Sequence, residues 1–323
     1  MLNQEPSNVW PTTSPIDQYI DFKATQPYVW NAGAMSAFQM SSSGVGRLQA
    51  FETAADVGVT PIRGSKDRAV NLKLFLGATF FRILENMVSS RAFPLTRYFP
   101  RGVFWVFDIQ RFLSARSLGV LFDVGANTGQ TLTALLRHAP NAKIYSFEPT
   151  LETFRVLEGN FKGRENIHLR NIAIGAHPGR LALQLSEDSQ LNTLVPRNTQ
   201  GLPATTQMTE VTTIDDIVAA EGISHLDLLE IDVQGWELEV MRGASKLVAD
   251  HNLMFLFVEV GFRRYETEIQ HFCELHDHLE SNGFILCGFY ETVRFGPRKE
   301  YLGFSNALYI HPEARRKWTG IEQ

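Results

Sequence analysis

The sequence predicts an α/β fold, a mostly parallel sheet with helices on both faces. Three observations carry that reading. From about residue 100, short apolar runs alternate with longer helical stretches, the order expected of strands joined by crossover helices. The runs are apolar nearly throughout rather than at every second residue, as in strands buried on both faces. The first run also opens through a glycine loop directly into a helix, a strand-turn-helix junction that places a loop at the carboxyl edge of the sheet.

In chain order, residues 119–124 form the first apolar run and 131–138 the helix after the glycine loop. Residues 143–148 are the second strand, ending in Glu148, with a helix over 151–160. A third strand spans 167–174, and 181–185 and 210–213 are shorter β segments. Two more apolar strands, 226–232 and 253–259, flank a helix over 236–248. A long helix over 266–282 leads through Gly283 to a strand at 284–289, and residues 306–310 close the series. Thr213 or Asp215 caps a helix that begins there, since short polar side chains accept from the first free backbone N–H groups. No internal repeat of fixed period is visible.

A chain of 323 residues is one large domain or a domain with an extension. Hydrophobic residues at 44% and charged residues at 20% exclude wholesale disorder, collagen and coiled coil. The formal net charge of −5 argues against binding nucleic acid or anionic membrane through bulk charge. Two cysteines, Cys273 and Cys287, are too few for a disulfide framework or a structural zinc cluster, and both read as buried free thiols. There is no long charge-free apolar run, and the first residues lack a basic region followed by an apolar one. The expectation is a cytoplasmic protein without a transmembrane segment.

The chain divides into an irregular arm (1–66), a helical extension (67–100) and a main domain (101–323). The arm is interrupted by Pro6, Pro11, Pro15, Pro27 and Pro61 but carries Trp10, Tyr19, Phe22, Tyr28 and Trp30, more aromatics than a linker needs. In the extension, Leu72, Phe75, Leu76, Phe80, Ile83 and Met87 make one helical stripe. That stripe docks on its own core or on a second copy of the chain; a membrane-surface helix is the alternative, but such helices carry a denser basic face.

The glycine loop, Asp123-Val-Gly-Ala-Asn-Thr-Gly129, is the most informative stretch. Its glycines allow a tight turn and close approach to a ligand, and Glu148, ending the next strand, can accept from both hydroxyls of a ribose. A dinucleotide site calls for G-x-G-x-x-G, and this loop has Asn127 and Gln130 where the second and third glycines belong. The pattern suits a cofactor without phosphate, and S-adenosylmethionine, with an amino-acid end and a sulfonium cation, is one.

Phe122-Asp-Val-Gly-Ala-Asn-Thr-Gly-Gln130, Phe147-Glu-Pro149 and Ile231-Asp-Val-Gln-Gly-Trp-Glu237 together resemble the FkbM-type methyltransferases over roughly residues 95–310. The resemblance implies a class I methyltransferase fold, Rossmann-like, with seven strands and the last antiparallel. It also implies methyl transfer from S-adenosylmethionine, usually to oxygen, on a small-molecule or glycan-like acceptor. The cofactor-binding set it implies is Asp123, Gly125, Ala126, Asn127, Thr128 and Gly129, with Glu148, Pro149, Asn171, Ala173, Asp232 and Val233. In that set Asp123, Gly125, Asn127 and Gly129 line the methionine end, Glu148 binds the ribose, and Asn171 with Ala173 flanks the adenine. The first 66 residues resemble nothing in the family. Where the family has Glu, this chain has Gln234, an amide that keeps an acceptor but loses the charge.

An alcohol acceptor loses its proton as the new bond forms, so a base is expected at the carboxyl ends of the strands. Asp232 is the first candidate and Glu259 the second; Asp232 reads equally well as a cap or cofactor-positioning group. Glu237 faces the start of a helix, where an acid suits the helix dipole. No resident metal is expected: Asp232 and Glu259 offer two oxygen ligands with no clear third. His271, Glu274 and His278 share one face of the long helix, away from its expected core stripe of Ile269, Phe272, Cys273, His276 and Leu279. Arg294, Arg298, Lys299, Arg315, Arg316 and Lys317 form a basic cluster near the C-terminus, read as a solvated face. The alternatives to a methyltransferase are a degenerate cofactor-binding protein and, against the broken glycine pattern, a nicotinamide-dependent oxidoreductase.

Overall fold

The computed structural model describes residues 100–321 apart from 115, 187–188, 190–191, 195–204 and 265–268. The expected arm (1–66) and helical extension (67–100, Pro100 excepted) lie outside the described residues. Helix α1 (Trp105–Phe112) precedes strand β1 (Val120–Val124), α2 (Gln130–His138), β2 (Lys143–Phe147), α3 (Leu151–Phe161) and β3 (Ile167–Arg170). Then come β4 (Ala173–Ile174), β5 (Gly179–Leu185), β6 (Thr205–Thr212), α4 (Ile214–Ala220) and β7 (Leu226–Ile231). The chain continues through α5 (Glu237–Arg242), α6 (Ser245–Ala249), β8 (Leu253–Gly261), α7 (Phe272–Ser281), β9 (Ile285–Phe295), β10 (Tyr301–Ile310) and α8 (Pro312–Thr319).

The main sheet has seven strands in the order β3-β2-β1-β7-β8-β10-β9. Pairing is parallel from β3 through β8, and β10 runs antiparallel to both neighbours. This is the expected seven-stranded sheet with its last strand reversed. Period-2 alternation splits each strand between two cores. Phe122, Leu229 and Tyr309 face α4, α5, α6 and α7. Leu121, Leu228 and Leu308 face α1, α2, α3 and α8. Each of these side chains, fully buried, contributes on the order of 1.5–3 kcal/mol. Helix α1, which the sequence reading did not anticipate, joins the second core by stacking Trp105 on Phe257 at 4.4 Å between ring centroids.

Five expected elements come out differently, three of them at an identifiable contact. The strand expected at 167–174 breaks, because Asn171 Nδ2 donates to the carbonyls of Glu148 and Pro149 and holds the chain there in a turn. Its second half, β4, joins β6 in a separate three-stranded sheet with β5. The helix expected at 236–248 is two short helices. Between them, the Asp215 backbone N–H donates to the carbonyl of Gly243, and the Asp215 carboxylate accepts from Lys246 and Leu247 N–H at the start of α6. Gly243 also packs so close to Gly175 that a Cβ would lie 2.2 Å from its carbonyl oxygen. The helix expected to start at 266 begins at Phe272, because Gly261 N–H donates to the carbonyl of Gln270 and His271 bridges to Gly261 at the end of β8. Strands β9 and β10 are each longer than the apolar runs that announced them.

The late start of α7 changes which side chains it buries. Leu275 and Leu279 are its buried pair, while Cys273 is exposed and Cys287 half-buried, so neither cysteine is the buried thiol expected. His271 caps the helix, its Nδ1 accepting from Cys273 N–H at 3.2 Å. Thr213 caps α4 as expected, accepting from Asp216 N–H. The basic cluster separates. Arg294, Arg298 and Lys299 sit around the β9–β10 turn, and Arg315, Arg316 and Lys317 on α8, at the far end of β10.

Candidate active site

The carboxyl edge of the parallel strands collects the predicted residues. After β1 the chain turns through Gly125 (φ +92°), and Gly125 and Ala126 N–H both donate to the carbonyl of Phe147 at 3.0 Å. A Cβ on Gly125 would fall 1.9 Å from the carbonyl oxygen of Asp232, so this glycine is demanded by the approach of the β7 end. Asp232 N–H closes the same junction on the carbonyl of Val124 at 3.0 Å. Gly129 answers to a different contact. A Cβ there would meet the Phe161 ring at 2.1 Å, so this glycine seats α2 against α3.

Glu148 lies at the end of β2 and is buried. Its Oε2 accepts from Asn127 N–H at 3.0 Å and its Oε1 from Thr150 N–H at 2.8 Å. The Thr150 side chain also bonds this carboxylate, whose two oxygens have about four lone-pair sites in all. Burial is the main cause that raises its affinity for a proton, and the backbone donors oppose it. Pro149 and Asn171 form the turn beside it, where the Asn171 amide is used on the Glu148 and Pro149 carbonyls. Ala173 is buried in β4 opposite Val211. Thr128 N–H is held by the side chain of Asn127, whose φ of +49° is the left-handed conformation that asparagine tolerates.

Beneath the loop, strand register sets three polar side chains in a row: Ser146 opposite Asp123, and Asp123 opposite Glu230. Asp123 is fully buried and accepts from Ser146 Oγ at 2.8 Å. Burial pushes its carboxyl up to about 6, against the hydrogen bonds of Ser146 and Glu230, and the charge of Asp232 adds to the rise. Glu230 is raised well above the ordinary carboxylate range, by burial first and then by the charges of Asp123 and Asp232.

Beyond β7, Asp232 and Glu259 come together through Gln234. The Gln234 Nε2 group donates to Asp232 Oδ1 at 2.6 Å and to Glu259 Oε2 at 3.1 Å. In both bonds the amide is the donor. Val233 and Gly235 N–H both donate to Glu237 Oε1 at 3.2 Å, so Glu237 folds the 232–237 loop. Burial, and then the charge of Asp232, push the Glu237 carboxyl up to about 7 despite those donors.

The sequence places the loop 186–206 among the expected walls of the acceptor pocket without singling out any residue in it, and three of its residues reach the site. Ser189 Oγ accepts from Asn127 Nδ2 at 3.3 Å, Asn192 Nδ2 donates to Thr150 Oγ1 at 3.0 Å, and Thr193 Oγ1 donates to the Gln234 carbonyl at 2.6 Å. One short segment therefore touches the glycine loop, the Glu148 turn and the Asp232 loop. Its residues are ordinary polar types with no motif of their own, so no local signal marks them.

Among the described residues, no group of three or more His, Cys, Asp or Glu side chains is disposed to hold a metal ion. A cavity of about 460 Å³ lies at the opposite edge of the sheet, lined by His251, Asn282, Gly283 and His311 among others, and shares no residue with this site.

The methyltransferase FkbM domain profile matches residues 123–286, about half of the chain. The chain belongs to the FkbM methyltransferase family. That stretch takes in the glycine loop, the Glu148 turn and the Asp232–Glu259 group. The hexuronic acid methyltransferase AglP of Haloferax volcanii is 24% identical over 159 residues, 48% of this chain and 62% of AglP. The 2-O-methyltransferase NoeI of Sinorhizobium fredii is 23% identical over 164 residues, 46% of this chain and 67% of NoeI. The chain thus matches about two thirds of the length of these FkbM relatives. Among solved structures, the fibrillarin pre-rRNA processing protein of Methanococcus jannaschii is similar at 17% identity and a TM-score of 0.37. That match covers 61% of this chain and 67% of fibrillarin. No helix among the described residues is long and apolar enough to cross a membrane.

Proposed function

We propose that this protein transfers a methyl group from S-adenosylmethionine to a hydroxyl oxygen of a sugar-like acceptor. One observation carries the reading: the segments 123–129, 146–150 and 230–237, which converge on one edge, bring Asp123, Glu148, Glu230, Asp232 and Glu237 and no Lys or Arg. Such a donor set repels a pyrophosphate and attracts a cation, which fits a phosphate-free cofactor with a sulfonium and an ammonium group. The bound cofactor supplies a methyl group activated by its positive sulfur.

The protein's own residues supply position and a proton acceptor. Glu148 accepts from the ribose hydroxyls, and the loop 125–129 backs the amino-acid end. Asp232 accepts the proton that the acceptor hydroxyl loses, and Glu259 shares its bridging amide. A positioned base contributes about 10²–10⁴-fold, and alignment of the reacting groups contributes more. The printed names of AglP and NoeI, a hexuronic acid methyltransferase and a 2-O-methyltransferase, support an oxygen acceptor on a sugar. A nucleic-acid acceptor fits poorly with a net charge of −5 and an acidic cradle. Free thiols at Cys273 and Cys287 suit a reducing, cytoplasmic compartment. We assign residues 1–66 and 67–100 to acceptor or subunit contacts. Deleting 1–66 then leaves cofactor affinity nearly intact and alters oligomeric state or acceptor turnover.

The deciding measurement is a thermal-shift titration with S-adenosylhomocysteine beside NAD. Saturation at a hundred times the dissociation constant stabilises by about 2.7 kcal/mol, a readily visible shift. A response to S-adenosylhomocysteine that Glu148→Ala abolishes supports the reading. A response to NAD alone, or to neither, refutes it.

A further inference from the structure

We propose that Asn192 is a positioning residue for Glu148, its amide turning the Thr150 hydroxyl so that the hydroxyl donates to the Glu148 carboxylate. The proposal rests on the reading of Glu148 as the acceptor for the cofactor ribose. Thr150 is buried and holds the N-cap position of α3, where a threonine oxygen ordinarily accepts from the first turn of its helix. Thr150 makes no such bond. Its Oγ1 instead accepts from Asn192 Nδ2 at 3.0 Å, and its hydroxyl bonds Glu148. An ionised carboxylate only accepts, so in that bond the hydroxyl is the donor.

The direction of the relay is fixed at its far end. Asn192 Oδ1 accepts from Ser186 N–H at 2.8 Å, which leaves the NH₂ group of the amide for Thr150. With that N–H aimed at Oγ1, the hydroxyl hydrogen turns away from Asn192 and toward the acid. Glu148 is thus met by Thr150 N–H at 2.8 Å, by Asn127 N–H at 3.0 Å and by the Thr150 hydroxyl. These donors oppose the burial that raises its affinity for a proton, while Asp123 on β1 adds a like charge that acts with burial.

Two other amides hold the same turn, and they differ in kind. Asn171 Nδ2 donates to the carbonyls of Glu148 and Pro149. Gln207, on β6, donates to the Pro149 carbonyl at 2.9 Å and accepts from Leu151 N–H at 3.3 Å. Those bonds end on backbone atoms, whereas the Asn192 bond ends on an oxygen whose own hydrogen reaches the carboxylate. Losing Asn192 therefore changes how tightly Glu148 holds a proton as well as how firmly the turn is held.

The test measures S-adenosylhomocysteine affinity of the full chain by calorimetric titration at pH 5 and pH 8. Each variant is read as a ratio to the wild type, so that the acids common to both cancel. Ribose hydroxyls donate to the ionised carboxylate, and Asn192→Ala lets that carboxyl keep its proton to higher pH. Binding by Asn192→Ala is expected to weaken about threefold at pH 8 and about tenfold or more at pH 5. Gln207→Ala is expected to weaken binding by the same factor at both. Thr150→Val keeps the shape and the backbone donor but has no hydroxyl, and it covers the case in which Asn192→Ala does not fold. It is expected to reproduce the pH-dependent ratio, and adding Asn192→Ala to it brings no further pH dependence.

Three results overturn the proposal: an Asn192→Ala ratio as flat as that of Gln207→Ala, a Thr150→Val ratio equal at the two pH values, or an Asn192→Ala pH dependence that persists in full in the Thr150→Val background. A wild type that binds no S-adenosylhomocysteine refutes the proposed function instead, and the relay is then judged on the stability of the unliganded chain. There the sign reverses. A carboxyl whose folded pKa rises loses stability as pH rises, so Asn192→Ala should be destabilised more at pH 8 than at pH 5. Equal destabilisation at both overturns the relay.

Discussion

Asp123 and Asp227 are buried aspartates on neighbouring strands, and their surroundings differ in kind. Asp227, at the amino end of β7, accepts from Gly119 and Val120 N–H at 2.5 and 3.1 Å, and His225 Nε2 lies 3.5 Å away. Burial alone would raise its pKa, but His225 and the two backbone donors outweigh that and hold it below the ordinary value. Asp123, at the carboxyl end of β1, has Ser146 as its donor and faces Glu230, with Asp232 near, and it is pushed up to about 6. The amino edge of the sheet provides donors for its acid and so uses it as structure. The carboxyl edge sets acids beside one another, so that Asp232 adds to the rise of Asp123, Glu230 and Glu237.

The strongest way to break the contrast is to disrupt the carboxyl edge sterically. Gly125→Ala combines a left-handed backbone with a Cβ 1.9 Å from the Asp232 carbonyl oxygen. It should cost at least about 2 kcal/mol and abolish the S-adenosylhomocysteine shift. Gly222→Ala, left-handed (φ +63°) but with nothing within 4 Å of the new Cβ, should cost about 1 kcal/mol and leave the shift intact. Equal losses in chemical denaturation would mean that the Asp232 approach is not what demands Gly125.

Making the same substitution at both aspartates comes next. Asp227→Asn weakens charge-assisted hydrogen bonds from two backbone groups and should cost about 1.5–3 kcal/mol at pH 7.5. Asp123→Asn removes a charge the fold disfavours and should cost nothing at that pH or stabilise slightly. The pH dependence follows. The folded Asp123 carboxyl holds its proton more tightly than its ordinary value of 3.8 allows. Its stabilising contribution is therefore present at low pH and lost as pH rises through about 6. Asp227 works in the opposite sense, its contribution present at neutral pH and lost in acid. Denaturation curves of the two variants that share one pH profile would show the two environments to be alike.

Cofactor binding should report the same difference more gently. A cationic ligand favours ionised carboxylates, so S-adenosylmethionine should bind more tightly as pH rises through the ranges of Asp123 and Glu237, about 6 and about 7. Calorimetric titration between pH 5.5 and 8 would reveal a flat profile if neither acid senses the ligand. A modest effect is expected at Thr193→Val, which removes the hydroxyl donor to the Gln234 carbonyl and should cost about 1 kcal/mol. It should also loosen the Asp232 loop, read as faster amide exchange at 233–235.

The glycine loop and the acid after β2 were legible because their demands are local. A turn that passes close under another backbone needs glycine wherever it occurs, and a strand that ends in an acid after an apolar run places that acid at an edge. The elements that came out differently were shaped by contacts from distant parts of the chain. Gly243 looks like an ordinary helical residue until Gly175 lies against it, and the start of α7 depends on Gly261 bonding Gln270. Cys273 was expected in a buried stripe, and the delayed helix start turned it to solvent. In the site, Asp232 and Glu259 could be named one at a time, but nothing in their spacing says that one amide joins them.

By itself the sequence determined the sheet-and-helix order, the loop that shapes a ligand edge and the acids that line it, because apolar periodicity and backbone constraint act over a few residues. Only the tertiary structure decided which acids became neighbours, which donors reach each of them and which way Gln234 turns its amide. Those outcomes depend on strand register and on hydrogen bonds between residues far apart in the chain, whose electrostatic energies arise only when burial removes water.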